Sequence, residues 1–190
     1  MGVLAGQKGA PKGDHDPTGA KGREEGTVTD GRNGRLFAAG VAYLCCEAWG
    51  EAYACFAETG RRDAPTLYNM ALCCFGVAWY EECYRLVCEA GRMLPPDGEP
   101  RPKGTLGNAE AEGIPGDELP EPFRRHDAGD GPPRCPLLHG LPTDRAHTLL
   151  LRLRAEAAAR LGQREEVRAI AARLGNRYGH IETWIKKFDR

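Results

Sequence analysis

The chain has no apolar run near the roughly 20 residues that a membrane-crossing helix needs. The longest candidate, Leu36 to Cys46, is about half that length, and Glu47 and Glu51 follow it. Neither sign of charge is in excess, with 26 basic and 27 acidic side chains. Binding to a phosphate backbone draws on a surplus of Lys and Arg, so nucleic acid is not an expected partner. The opening MGVLAGQKG has no apolar core of signal-peptide length, and Gly6 stands where a myristoylation pattern needs Ser or Thr. These absences point to a cytoplasmic chain with no membrane partner.

The usual constellations of chemistry are missing too. Gly6-Gln7-Lys8-Gly9 lacks the Gly-Lys-Ser/Thr ending and the flanking strand of a phosphate loop. His15, His126, His139, His147 and His180 are scattered and form no Ser/His/Asp set. Cys135 and His139 make a lone Cys-x3-His inside a Gly/Pro-rich stretch, a poor scaffold for a nucleophile pair or a zinc site. None of the eight cysteines is spaced Cys-x-x-Cys, and adjacent pairs such as Cys73-Cys74 diverge by about 100° on a helix. Free cysteine packs as a small hydrophobe, which is the simplest role for Cys74 and Cys83; metal or redox use stays open. No enzyme, cofactor or metal is expected.

What is present is unevenly distributed. Residues 1–33 hold almost no large apolar side chain and are expected to be disordered. Residues 96–142 break into proline and glycine every few positions, which predicts a linker or insertion, with Leu119, Phe123, Leu137 and Leu138 as the side chains able to touch a folded surface. Between and after them the apolar residues fall at helical spacing. In 34–95, Leu67, Ala71 and Cys74 stripe one helix and Tyr80, Cys83, Val87 and Ala90 the next. Pro65 suits a first turn, and Pro95 and Pro96 end the second helix.

The same pattern precedes and follows. Leu36, Gly40 and Tyr43 pair with Trp49, Ala52, Phe56 and Thr59, and Gly60 can cap that pair. In 143–190, Leu151, Ala155 and Ala158 pair with Arg164, Val167, Ala171 and Leu174. The steps Tyr43 to Ala52, Cys74 to Cys83 and Ala158 to Val167 are all nine residues. A last helix carries Tyr178, Ile181, Ile185 and Phe188 on one side and can close the end of a stack.

Leu67-Tyr68-Asn69-Met70-Ala71, followed by Tyr80, Cys83, Ala90 and Pro95, resembles the tetratricopeptide repeat; Gly40, Tyr43, Ala52, Phe56 and Gly162 resemble it as well. Ala78 replaces the family's turn glycine, so a looser turn is expected there. The step from Leu36 to Leu67 is 31 residues against the family's 34, with the shortening placed at Arg61-Arg62-Asp63.

The resemblance implies an all-α, right-handed solenoid of three helix pairs and a cap. It implies a concave groove on the first helices, lined by Phe37, Val41 and Leu44, by Tyr68, Asn69, Leu72 and Phe75, and by Arg152, Leu153 and Glu156. The expected function is capture of an apolar peptide or amphipathic helix in that groove, with Asn69 and Arg152 as polar contacts. An acidic chaperone tail is not an expected ligand, because Phe37, Val41, Leu149 and Leu153 stand where its carboxylates need cations. Two alternatives remain: a structural or self-associating subunit closed through the same face, or a cysteine-based metal or redox sensor. Residues 96–142 are a further candidate to cover the groove.

Overall fold

A computed structural model describes residues 21–96 and 135–190 of the chain. The described residues form seven helices and no strand. They are α1 (Lys21–Cys45), α2 (Trp49–Glu58), α3 (Ala64–Gly76), α4 (Tyr80–Met93), α5 (Thr143–Arg160), α6 (Arg164–Arg173) and α7 (Gly179–Phe188). Each helix packs on its neighbours in the chain, and α5 lies directly on α4 although residues 97–134 separate them in sequence.

The three pairs share one turn. Glu47, Ala78 and Gly162 all take the left-handed conformation, with φ of 56°, 61° and 72°. In each, the next residue's N–H reaches back to a carbonyl five positions earlier: Ala48 to Tyr43 (3.0 Å), Trp79 to Cys74 (2.9 Å) and Gln163 to Ala158 (2.9 Å). This is the Schellman closure, which satisfies carbonyls that a helix end leaves open. The nine-residue step is its signature in sequence. The looser turn expected at Ala78 is corrected: alanine takes glycine's conformation there, and the turn is as tight as that at Gly162.

Other signals act locally. Asp63 caps α3, its side chain accepting from Thr66 N–H at 2.9 Å, with Pro65 in the first turn. Leu94 is extended (φ −81°, ψ 143°), as the residue before Pro95 must be, and α4 stops at Met93. Gly40 lets α1 lie against α2, because a Cβ there would come within 2.7 Å of the Phe56 ring.

Two expectations shift. Helix α1 starts at Lys21, well ahead of the boundary near 34. Packing anchors its second half, and extension beyond an existing turn adds one bond per residue fixed, so Gly31 and Gly34, beside which a side chain would meet nothing, are tolerated. Residues 1–20 lie outside the described residues. On α1 the buried stripe is Phe37, Gly40, Val41 and Leu44, while Leu36 is only partly buried and Tyr43 is 43% exposed. The packing face is therefore turned by one residue from the Leu36/Tyr43 reading.

One core joins α1 to α4, the first half of α5, and Cys135, Leu137 and Leu138. A second lies where the other half of α5 meets α6 and α7, around Ala158, Val167, Ile170 and Ile181.

Candidate functional site

The faces of α1, α3 and α5 assigned to a groove are side by side in the structure, and they are covered. Phe37, Val41, Leu44, Tyr68, Asn69, Leu72, Arg152 and Leu153 are all buried, and Phe75 is partly so. The open trough expected there is corrected for a physical reason. A helix that is apolar all round is a buried helix. Helix α3 buries Leu67, Ala71 and Cys74 on one side and Tyr68, Asn69 and Leu72 on the other.

The cover over α1 and α3 is the chain's own segment from Cys135 to Leu141. Asn69 grips it by the backbone: its Nδ2 donates to the Leu137 carbonyl at 3.0 Å, and Leu137 N–H donates to Asn69 Oδ1 at 2.9 Å. A carboxamide thereby satisfies both polar groups of one buried residue, whose loss of water would otherwise be unfavourable. Leu137 and Leu138 insert among the helices. Leu119 and Phe123, the other two candidates for such contact, lie outside the described residues.

A second anchor follows two residues on. His139 Nε2 lies 3.1 Å from Asp63 Oδ2, and its ring sits 4.5 Å from that of Phe37. Burial alone would raise the Asp63 pKa. The hydrogen bonds from His139 and Thr66 outweigh it and hold that carboxyl at about 2. Asp63 did not stand out in the sequence, and His139 was singled out only with Cys135 as a Cys-x3-His pair. The available signal was an apolar island, Leu137-Leu138-His139-Gly140-Leu141, inside the Pro/Gly-rich stretch.

The cover over α5 is α7. Arg152 lies under the Tyr178 ring, 4.5 Å from its centroid. Glu156 accepts from Trp184 Nε1 at 3.0 Å, and His180 Nε2 is 4.0 Å from its other oxygen. Burial raises the Glu156 pKa, against the pull of Trp184, Arg160, Lys187 and Arg152.

Cys73, Cys74 and Cys83 are buried in the core as packing residues. Burial pushes the thiols of Cys73 and Cys74 up to about 12 and 11, and that of Cys83 up as well, so they stay protonated and unreactive. Among the described residues, no three His, Cys, Asp or Glu side chains converge as a metal site. Nor, among them, is any helix long and apolar enough to cross a membrane. No family model matches the chain, and comparison with curated proteins and with solved structures returns no significant match.

Proposed function

We propose that the chain is a non-catalytic protein-interaction module, a tetratricopeptide-like solenoid whose groove holds an extended peptide. The observation that carries this reading is the double hydrogen bond between Asn69 and the Leu137 backbone. It recognises a peptide by its main chain, which any extended ligand supplies, while the pockets of Leu137 and Leu138 add a preference for paired leucines. The chain's own segment holds this place, so a partner peptide binds by displacing it.

The test uses a labelled peptide spanning Cys135 to Pro142. It is titrated onto the full chain carrying Leu137→Ala and Leu138→Ala, which loosens the resident segment. Saturable binding that disappears when Asn69→Ala is added supports the reading. No saturable binding up to millimolar peptide, with the helical circular dichroism retained, defeats it.

A second reading is self-association. It is favoured by Trp79, 65% exposed beside Val77 at the α3–α4 turn, since large exposed apolar side chains in a cluster mark contact surfaces. Light scattering over a range of chain concentrations separates a constant monomer mass from one that doubles.

A further inference from the structure

The strap does not run straight across the helices. Leu141 N–H donates back to the Leu138 carbonyl at 3.4 Å, and Gly140 between them takes a φ of 85°. Its neighbour His139 keeps a negative φ, so only the third residue is left-handed, the mark of a type II turn. A Cβ at Gly140 would meet nothing within 4 Å. The backbone, and not a shortage of space, therefore asks for glycine there. A fully extended chain would send Leu137 and Leu138 to opposite sides. With the turn starting at Leu138, both are buried, at 1% and 6% exposure.

The turn also delivers the next side chain. The His139 ring meets that of Phe37 on α1, and its Nε2 faces Asp63 Oδ2 at the start of α3. The other oxygen of Asp63 is committed to Thr66 N–H at 2.9 Å, which holds the carboxylate with Oδ2 towards the strap. Arg61 Nε stands 3.8 Å from the same oxygen, too far to take the ring's place as a hydrogen-bond donor. A ring face beside an acceptor suits a flat group with an N–H at its edge, which an imidazole supplies.

We infer that the groove selects its partner by a turn, taking peptides with the order Leu-Leu-His-Gly that the strap carries at 137–140. This rests on the proposed peptide groove and names the class of peptide it takes. Asn69 holds the main chain and is blind to the side chains. Phe37 and Asp63 read the histidine, and the left-handed backbone reads the glycine.

The host is the full chain with Leu137→Ala and Leu138→Ala. The probes are the labelled Cys135–Pro142 peptide and two altered copies, His139→Phe and Gly140→Ala. Phenylalanine keeps a ring and drops the donor, and alanine opposes the left-handed φ. Each change should weaken binding about fivefold or more. A second host adds Asp63→Ser, which still caps α3 but is too short to reach the ring. There the His139→Phe penalty should shrink to about twofold or less, while the Gly140→Ala penalty stays. The inference is overturned, with the groove itself left standing, if either altered peptide binds as the parent does. It is overturned equally if the His139→Phe penalty is undiminished in the Asp63→Ser host. Absence of binding by the parent peptide defeats the groove and this inference together.

Discussion

The covered face is closed by different chemistry at its two ends. Over α1 and α3 the lid is a strap of leucines, pinned by one carboxamide and one His–Asp contact. Over α5 it is a helix whose aromatic rings lie against cations: Arg152 on Tyr178, and Arg160 and Lys187 on Trp184, around the buried Glu156. The first closure draws mainly on apolar burial, which is indifferent to pH. The second draws on buried charge, where the balance of desolvation and attraction is fine and depends on protonation. Their two carboxylates are shifted in opposite directions, Asp63 down and Glu156 up.

The largest expected effect tests the apolar end. Phe37 touches both the Phe56 ring, at 5.4 Å, and His139 of the strap. Phe37→Ala should cost about 3–5 kcal/mol by denaturant unfolding, the range for a buried aromatic. A cost below about 1 kcal/mol would mean that apolar burial does not dominate this end.

At the charged end, Glu156→Ala leaves the Trp184 N–H without its acceptor and should cost about 2–3 kcal/mol. Glu156→Gln is the sharper variant, because it imitates the protonated acid. The folded-state pKa of Glu156 is raised, so its protonated form favours folding and that benefit is lost as pH rises through the folded value. The Gln variant should therefore match the parent in acid and gain on it towards neutral pH. A constant difference between the two across that range would mean that burial does not govern Glu156.

Asp63 has the opposite sign. Its folded pKa, about 2, lies below the ordinary 3.8, so its contribution is present above 3.8 and is lost as pH falls towards 2. The side chain is 35% exposed. Screening therefore holds the effect to the order of 1 kcal/mol. Asp63→Asn keeps a competent cap and should flatten that acid limb. An unchanged limb in the Asn variant would assign it to other carboxylates.

The helices and most of their boundaries were legible because they are local, whereas the face that α1 buries was read one residue off. The nine-residue step encodes the Schellman turns, and Pro65 and Pro95 mark boundaries that the backbone enforces. The seating of the third pair on α4 followed from the same register, despite the residues between them. The expected groove residues Phe37, Tyr68, Asn69 and Arg152 are buried, and whether a face is open depends on what crosses it. That is a long-range contact, such as Asn69 with Leu137, and no periodicity reports it.

The smallest expected effect concerns the turns, which the two ends share. Ala78 and Glu47 hold φ of 61° and 56°, a conformation that opposes a Cβ against the carbonyl oxygen, whereas Gly162 at 72° has none to oppose. The first two turns are thus strained where the third is not. Ala78→Gly should relieve that strain and stabilise the chain by about 0.5–1 kcal/mol, with Glu47→Gly giving a similar gain. Part of the relief is offset because glycine also gains freedom in the unfolded chain. Gly162→Ala should move stability by a similar amount the other way. These shifts should add, since the turns share no partner. A loss of stability in Ala78→Gly would show that the Ala78 methyl makes packing contacts worth more than the backbone strain it imposes.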